Sequence, residues 1–409
     1  MKPHEPKKIG LVSVLIPTLN RAAFLGDALR SAMSQALASI EIIVVDDGSD
    51  DDTAQVVRGF GERVRYFHQA NAGKSAALNL GLSVAQGDAI IVLDDDDLLP
   101  DGALQAHVDA LNAAPGAGFS YGRFTRFRGD VAAASLSTDV GEMLQDDRRL
   151  VIRLMESCFL PNPTWMIRRD AMLATGPYDT SLRRGMDFDM VLRIARRHAG
   201  VFVDRVTLYQ RKHVSLRRSL VGARLTEHTR PEWIEYDRII IRRIFDDWSL
   251  DDFRPYDNTA GPEDQRLIHL QRAVVLFVRK LYDLAQSELD SYAARPGPNR
   301  ASPRELQVLG GLFSSDYGLD EFYPRGERYS RWLRSLKLPL SSRLAMASGI
   351  RRQVRRKLRE GRLGDAARIL GFAWRGFGVI AVGEALSIAA SILRNRVGRI
   401  ASPPSLSRS

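Results

Sequence analysis

The segment AIIVLDDDD, residues 89–97, places four consecutive carboxylates directly after an apolar run. The run Ala89–Leu93 has the length and composition of a buried strand. Side chains alternate between the two faces of a strand, so Asp94 and Asp96 are expected to point the same way and share a metal ion, while Asp95 points elsewhere. Carboxylate oxygens favour Mg²⁺ or Mn²⁺. The alternative is a solvated acidic turn in which one Asp caps the next helix.

Strand patterns alternate with helix patterns through the N-terminal half. Apolar runs at 11–16, 41–45, 64–67 and 89–93 predict strands, and helix patterns near 25–33, 50–60 and 74–85 separate them. This alternation predicts a parallel sheet covered by helices. In such sheets, ligands bind beyond the carboxyl ends of the strands. The polar residues at three of these ends are therefore expected to converge on one site: Pro17 with Thr18, Asp46 with Asp47, and Asp94–Asp96.

Four segments carry a resemblance to a known family. In chain order, SVLIPTLNR, IEIIVVDDGSDDDT, NAGKSAALN and GDAIIVLDDDDLLP resemble the nucleotide-binding half of the family 2 glycosyltransferases, over about Val12–Pro100. The resemblance implies the GT-A fold, a Rossmann-like, mixed and mainly parallel sheet flanked by helices, here with an α-helical C-terminal region. It also implies an inverting enzyme that binds a nucleoside-diphosphate sugar.

The resemblance also implies roles for residues of the donor half. Thr18 and the Pro17 backbone would lie near the base, and either Asp46 or Asp47 would accept a hydrogen bond from a uracil ring. Asp94 would meet the ribose, Asp96 would hold the divalent ion on the diphosphate, and Lys74 would contact the nucleotide. The nucleotide-sugar-binding candidates are Pro17, Thr18, Asn20, Arg21, Asp46, Asp47, Lys74, Asp94 and Asp95.

Some of these assignments have simpler alternatives. Lys74 is also compatible with an exposed helix residue, and Asn79 with a solvent-facing one. The three residues Asp50–Asp52 are better explained as charges at a helix N-terminus, which the helix dipole favours, than as ligands. Leu78 stands where family members often carry Arg, so no second basic contact is predicted there.

The acceptor half should supply a general base. Transfer with inversion needs a carboxylate that removes the acceptor proton, opposite a metal-stabilised diphosphate. The segment GPYDTSLRRGMDFDMVLRIARR resembles the second signature of the family, and by that match Asp187 is the candidate base. Met186 stands where many relatives carry Glu. Asp189 is the rival, on a different face of the predicted helix.

Three further residues are candidates on the acceptor side or at the metal. Arg211 and His213, in LYQRKHVSLRR, resemble a basic loop that closes over the diphosphate in several relatives. His213 is a candidate third metal ligand, or else a surface residue. Trp165 would line the acceptor pocket or pack in a core.

Composition predicts an intracellular enzyme of about two domains. The chain has 409 residues, 44% of them hydrophobic, and its one cysteine, Cys158, excludes an internal disulfide framework. The polar start Met1–Lys8 does not resemble a signal peptide, so we expect a cytoplasmic location. The net charge of +10 is compatible with binding to nucleic acid. The Asp-rich site would repel a phosphate backbone, however, so no nucleic-acid partner is expected.

The expected domains are a GT-A domain at 1–220, a helical extension at 221–295 and a basic helical region at 296–409. Within the first, residues 10–100 would bind the nucleotide sugar and 101–220 the acceptor. The apolar run Ile369–Leu393 contains Arg375 and Glu384, which favours a buried or interfacial helix over a membrane span. The basic C-terminal region suits either anionic lipid at the cytoplasmic face or a solvated surface.

These patterns predict an inverting, metal-dependent glycosyltransferase. Its donor would be a nucleoside-diphosphate sugar, with UDP as the favoured nucleotide, and its acceptor a hydroxyl of a glycan or lipid-linked sugar in surface polysaccharide biosynthesis. One alternative is a nucleotidyltransferase, although no glycine-rich phosphate loop precedes the first helix. Another is a catalytically silent nucleotide-sugar-binding scaffold, which the presence of Asp94, Asp96 and Asp187 disfavours.

Overall fold

The computed structural model describes residues 8–37, 39–129, 137–138, 148–157, 159–212, 229–257, 262–295, 300–313, 326–336 and 338–378. The chain divides into two compact units, Met1–Ile240 and Ile241–Ser409. The three-part division expected from the sequence stays a prediction.

The first unit is built on an eight-stranded sheet with helices in the connections. Its strands are β1 (Val12–Thr18), β2 (Ile40–Asp46), β3 (Val64–His68), β4 (Ala89–Val92), β5 (Ala117–Phe127), β6 (Ser137–Thr138), β7 (Trp165–Arg168) and β8 (Ala199–Arg211). Its helices include α1 (Ala22–Met33), α2 (Thr53–Arg58), α3 (Lys74–Val84), α4 (Ala103–Ala113), α5 (Leu150–Glu156), α6 (Arg169–Thr175) and α7 (Met186–Arg197).

The strand order along the sheet is β3-β2-β1-β4-β7-β5-β6, and β8 pairs with β5. Strands β3, β2, β1 and β4 are parallel to one another, whereas β7 runs antiparallel to both β4 and β5. The sheet is therefore mixed and mainly parallel, as the sequence predicted. The four N-terminal strands also lie where the apolar runs placed them.

Central strands of a helix-covered sheet are buried on both faces, and their sequences show it. All seven residues of β1 and all four of β4 are buried. The apolar side of α1, formed by Leu25, Ala28 and Leu29, packs into the same core. This packing fixes the carboxyl ends of β1, β2 and β4 beside one another.

The second unit is helical, as expected. Helix α8 (Thr229–Asp247) carries the last residues of the first unit and the first of the second. The helices that follow are α9 (Pro262–Val278), α10 (Tyr282–Ala294), α11 (Pro303–Leu309), α12 (Gly326–Ser335), α13 (Leu340–Arg359) and α14 (Leu363–Phe377).

Aromatic rings and buried ion pairs hold the second unit together. The Phe313 ring lies 4.7 Å from Phe277 and 5.9 Å from Phe372 between ring centroids. Arg266 pairs with Glu305 at 3.0 Å, and both side chains are nearly inaccessible to water. In the described part of the chain, no helix has the length and apolar character to cross a membrane.

Glu41 joins four parts of the first unit at the amino ends of the strands. Its carboxylate accepts hydrogen bonds from the Ser13 hydroxyl of β1, from Arg65 of β3 at 2.7 Å, and from the backbone N–H groups of Gln86 and Gly87. Partial burial opposes ionisation, but these donors outweigh it and lower the pKa of Glu41. The ionised carboxylate therefore stabilises the folded state.

We predict that Glu41→Gln lowers the free energy of unfolding by about 1 to 3 kcal/mol at pH 7, the usual scale for lost hydrogen bonds to a charged group. Because the pKa of Glu41 is lowered on folding, its contribution is present above the unfolded pKa and is lost as the pH falls through the folded value. The difference from wild type should therefore shrink below about pH 4. Urea titrations at pH 7 and at acidic pH measure it.

Glu62→Gln is the matched control, because Glu62 is exposed and should change stability little at either pH. A Glu41→Gln variant as stable as the control at pH 7 would show that the carboxylate does not join these strands.

Candidate active site

A cleft of about 380 Å³ opens at the carboxyl ends of β1, β2 and β4. It lies where the sequence placed the convergence of polar strand ends. Its lining residues are Pro17, Thr18, Leu19, Arg21, Asp47, Asn71, Gly73, Lys74, Ala77, Asp94, Asp95 and Asp96.

The Asp94–Asp97 segment is a turn, not a continuation of the strand. Because β4 ends at Val92, the alternation of faces expected for a strand does not apply. Asp94, Asp95 and Asp96 all line the cleft, so the expectation that Asp95 points elsewhere was wrong. Burial and the negative charge of Asp96 raise the pKa of Asp95 to about 7. The turn thus concentrates negative charge at the cleft.

Each of the other three carboxylates in the turn meets a different partner. Asp94 accepts a hydrogen bond from Lys74 Nζ at 2.7 Å, and Asp96 lies 3.6 Å from a guanidinium nitrogen of Arg21. Asp97 is buried and accepts from the backbone N–H of Arg211 at 2.8 Å. Burial and the charges of Asp94 and Asp96 raise the pKa of Asp97. Asp97 therefore anchors the turn, while the others face the cleft.

Lys74 is the first residue of α3 and follows Gly73, whose φ of 92° is in the region that favours glycine. Burial alone would lower the pKa of Lys74, but the ion pair with Asp94 and the charges of Asp187 and Asp95 raise it. Three carboxylates thus act on this one ammonium group. The Lys74 side chain is partly exposed and ion-paired with Asp94.

The two Asp residues at the end of β2 have different surroundings. Asp46 accepts from Tyr66 Oη at 2.6 Å and from the Ser49 N–H at 2.8 Å, and it does not line the cleft. Asp47 lines the cleft and accepts from the N–H groups of Ala72 and Gly73 at 2.8 and 2.9 Å. Of the two candidates for the base contact, Asp47 is the one that lines the cleft.

The donor-site candidates at the end of β1 lie in two different places. Pro17 and Thr18 line the cleft, and the buried Thr18 side chain lies beside the Asp95 carboxylate. Asn20, at φ 53°, instead accepts from the Asp50 N–H and donates its own N–H to Ser49. Asn20 therefore joins two loops outside the cleft.

Asp187 lies in the first turn of α7, on the acceptor side. The helix follows Gly185, which has a left-handed φ of 72°. Burial raises the pKa of Asp187, the positive charge of Lys74 opposes this, and the negative charge of Asp94 adds to it. The fold therefore brings Asp187 close to the ion pair at the strand ends, although Asp187 and Asp94 are 93 residues apart.

Asp189, the rival base, is engaged in a different contact. Its Oδ2 accepts from Arg193 Nε at 2.9 Å, and a second nitrogen of the same guanidinium lies at 2.8 Å. Arg193 also donates to the carbonyls of Thr175 and Pro177. Asp189 therefore orients an arginine that holds the loop before α7.

The remaining acceptor-side candidates are held within the protein. Trp165 begins β7, pairs with Tyr121 of β5 and is buried, and its indole N–H has no partner among the described residues. Arg211 donates from Nε to the Asp96 carbonyl at 3.0 Å and contacts Asp27. His213 lies outside the described residues.

A metal site built from protein ligands alone is not formed by the described residues. Within those ranges, no three His, Cys, Asp or Glu side chains are grouped as such a site requires. The cleft does hold carboxylates in excess of its cations, since Asp94, Asp95 and Asp96 face Lys74 and Arg21. Hard carboxylate oxygens at the edge of an open cleft fit a divalent ion whose other ligands are water and phosphate.

Sequence reasoning missed two groups of residues. Asn71, Gly73 and Ala77 line the cleft around Lys74, and the segment NAGKSAALN had already marked their position. Asn79 was given a solvent-facing alternative, but its side chain is bonded to the backbone of Tyr178. No local signal could reveal that contact, because its partners are 99 residues apart.

Comparison with known proteins identifies the N-terminal part of the chain. The family model described as glycosyl transferase family 2 matches residues 13–174. An uncharacterized glycosyltransferase of Rickettsia conorii is 40% identical over 104 residues, 25% of this chain and 17% of the relative. Glycosyltransferase GlyG of Streptococcus pneumoniae is 37% identical over 99 residues, 23% of this chain and 33% of the relative.

A longer match has lower identity. An uncharacterized glycosyltransferase of a Nostoc species is 28% identical over 173 residues, 41% of this chain and 54% of that protein. The matched segment thus spans between about a sixth and about half of the length of these relatives.

A solved structure shares the fold. The structure of Staphylococcus aureus TarS 1-349 in complex with UDP-GlcNAc has a TM-score of 0.50 at 15% identity, over 86% of this chain and 92% of that one. The likeness agrees with the mixed, mainly parallel sheet and its helices, which is the GT-A fold. With that fold, the family model and the four linked motifs, residues 13–174 belong to glycosyltransferase family 2.

Proposed function

We propose that this protein transfers a sugar, with inversion, from a nucleoside-diphosphate sugar to an acceptor hydroxyl. The observation that carries the proposal is the meeting of Asp187, from α7, with the Lys74–Asp94 ion pair at the strand ends. A carboxylate of the acceptor half thus interacts electrostatically with an ammonium group that lines the cleft. This is the pairing that transfer to an oxygen nucleophile needs, because a base must act opposite a stabilised leaving group.

The proposed donor is a UDP-sugar. The Asp47 carboxylate can accept a hydrogen bond from a ring N–H, which uracil offers, and the Thr18 hydroxyl at the same cleft can bond a polar atom of that ring. Lys74 would contact the phosphates and Asp94 the ribose. The TarS structure was determined with UDP-GlcNAc, which agrees with this choice of nucleotide.

The proposed cofactor is Mg²⁺ or Mn²⁺, held by Asp96. Arg21, 3.6 Å from Asp96, would keep that carboxylate oriented toward the diphosphate. When bound, the ion would neutralise negative charge on the leaving diphosphate. The surplus of carboxylates in the cleft supports the proposal, because a cation would relieve their repulsion.

In the proposed reaction, the acceptor oxygen attacks the anomeric carbon while the bond from that carbon to the diphosphate breaks. The Asp187 carboxylate takes the hydroxyl proton, and the electron pair of the broken bond leaves with the diphosphate. The raised pKa of Asp187 makes it a better proton acceptor once it is ionised. The positive charge of Lys74 opposes that rise and so favours the ionised carboxylate.

We also propose an acceptor and a location. The acceptor would be a glycan or a lipid-linked sugar in surface polysaccharide biosynthesis, and the reaction would take place at the cytoplasmic face of the membrane. Both rest on the family resemblance. We also propose that residues 1–220 are the catalytic part, 221–295 an extension and 296–409 a separate basic region. A nucleotidyltransferase and a silent scaffold are the alternatives that the following tests address.

The first test is a thermal-shift panel of nucleotide sugars with Mn²⁺, since a ligand that binds the native state raises its apparent stability. We expect a UDP-sugar to raise the melting temperature, and UDP release from it to follow. Stabilisation by nucleoside triphosphates, but by no nucleotide sugar, would favour nucleotidyl transfer.

We predict that Asp187→Asn lowers transfer by at least about a hundredfold, the usual scale for loss of general-base catalysis, with donor affinity nearly unchanged. Asp189→Asn should lower transfer less and stability more, because Asp189 holds Arg193. UDP release and calorimetric donor binding measure the two effects. The opposite ranking of the two variants would move the base to Asp189, and no loss in either would favour a silent scaffold.

We predict that Asp96→Ala abolishes the dependence of donor binding on Mn²⁺ while leaving the protein folded. Asp96 lies in a surface turn, so its loss removes little packing. Titration calorimetry with and without Mn²⁺ measures the effect. Asp101→Ala, an exposed carboxylate outside the cleft, is the control. Unchanged Mn²⁺-dependent affinity in Asp96→Ala would remove Asp96 from the mechanism.

The surface of α14 supports the proposed contact with anionic membrane. Leu363 and Trp374 are 68% and 54% exposed, and Ala367 lies exposed on the same side of the helix. Arg368 and Arg375 are also exposed and lie beside this stripe. Apolar and aromatic side chains next to basic ones suit a bilayer surface, where each basic residue contributes about 1 kcal/mol of attraction.

We predict that the full-length variant Leu363→Gln/Trp374→Gln co-sediments severalfold less with anionic vesicles than wild type does. The reason is the loss of apolar side chains that would enter the interface. Leu173→Gln is the control, because Leu173 is a similarly exposed apolar residue in α6. Equal sedimentation of both variants would exclude the α14 stripe as the anchor. Sedimentation of the protein with neutral vesicles would exclude attraction between its basic residues and anionic lipid as the cause of binding.

A further inference from the structure

We propose that Asn79 is a positioning residue that sets the distance between the acceptor-side carboxylate Asp187 and the donor-side ammonium of Lys74. The inference rests on the proposed function, because it assigns Asn79 a role in that same site. It concerns a residue of α3 that touches neither the cleft nor Asp187 in the contacts described above.

The contact itself is a two-point clamp on the backbone. Asn79 Nδ2 donates to the Tyr178 carbonyl at 2.9 Å, and the Tyr178 N–H donates to Asn79 Oδ1 at 2.8 Å. One side-chain amide therefore hydrogen-bonds both the N–H and the carbonyl of Tyr178, as a neighbouring β-strand would. Two bonds fix the orientation of the segment as well as its distance, which a single bond would not.

One side of the clamp is a helix, and the other is buried. Asn79 lies in the middle of α3, five residues after Lys74, so the helix backbone sets the separation of these two side chains. Tyr178 is almost fully buried, and its hydroxyl lies 3.5 Å from Asn162 Oδ1. Burial and the charges of Asp187 and Asp94 raise the pKa of Tyr178, so this ring lies near both carboxylates.

The loop that carries Tyr178 is tied to α7. Arg193 of α7 donates to the carbonyls of Thr175 and Pro177, the residues just before the clamp. Asp189 holds that guanidinium from the same helix. These bonds tie the loop to α7, which carries Asp187 in its first turn. A displacement of Tyr178 from α3 would displace the base from Lys74.

The path runs from Lys74 along α3 to Asn79, across to Tyr178, and through Arg193 to α7. Every step is a covalent helix or a hydrogen bond of 2.8 to 3.1 Å. The reacting groups of the two halves are thus held by one continuous path. A misplacement of about 1 Å can cost a hundredfold in rate, so such a path affects the chemical step directly.

The test is a double-mutant cycle with Asp187→Asn, on full-length protein. The probe is the UDP-sugar that the thermal-shift panel identifies, with Mn²⁺ present and water as acceptor, and the readout is UDP release. If Asn79 acts by positioning Asp187, Asn79→Ala should lower kcat at least about tenfold in the wild-type background and leave KM for the donor unchanged. In the Asp187→Asn background it should cause no further loss.

Asn112→Ala is the matched control. The side-chain amide of Asn112 also accepts from a backbone N–H, that of Ile9 at 3.0 Å, but it belongs to α4. It should leave kcat unchanged in both backgrounds. Asn79→Gln covers the case in which the alanine variant does not fold, because it keeps both hydrogen-bonding groups and shifts them by one methylene. It should fold and still lose kcat.

The outcomes separate the two proposals. An equal loss of kcat from Asn79→Ala in both backgrounds, or weaker donor binding with unchanged kcat, would overturn the positioning role while leaving the proposed function in place. Full activity in Asp187→Asn would overturn the proposed base, and the positioning role with it. Full activity in a folded Asn79→Gln variant with a displaced amide would also count against the clamp.

Discussion

Repulsion among the carboxylates of the Asp94–Asp97 turn is the constraint on which the site depends. Four such groups within four residues cannot all remain ionised unless each finds a compensating partner. Lys74 partners Asp94, Arg21 lies beside Asp96, and the buried Asp97 accepts the backbone N–H of Arg211. Asp95 has less compensation, and burial and the charge of Asp96 raise its pKa to about 7.

The three compensating groups come from three different elements, and this couples the site to the fold. Arg21 precedes α1, Lys74 begins α3, and Arg211 ends β8. The turn can keep its charge only when these elements are in place around the end of β4. Neutralising the turn thus brings together the helix termini and the last strand of the first unit.

The sequence predicted the parts of this arrangement that have local signals. The strands β1 to β4 were predicted because each is a short apolar run with polar residues after it. The insertion of β7 between β4 and β5 was not, because strand order depends on pairing between distant segments. The cleft was predicted from the strand ends, yet the distinction between Asp46 and Asp47 required the position of Tyr66, 20 residues away. The same holds for Asn79, since no pattern in α3 indicates a partner at Tyr178.

The two carboxylates in the first turn of α7 have different roles: Asp189 supports the structure, and Asp187 is the proposed base. Positions two apart on a helix lie about 200° from each other, so Asp187 and Asp189 cannot face the same partner. Asp189 is committed to Arg193 and through it to the loop before the helix. Asp187 is left facing the charges of Lys74 and Asp94. Residue 186 is Met and adds no carboxylate, so Asp187 is the carboxylate of this turn that interacts with Lys74 and Asp94. Asp187 is then held in position by contacts outside the turn, which Asn79 and Arg193 supply.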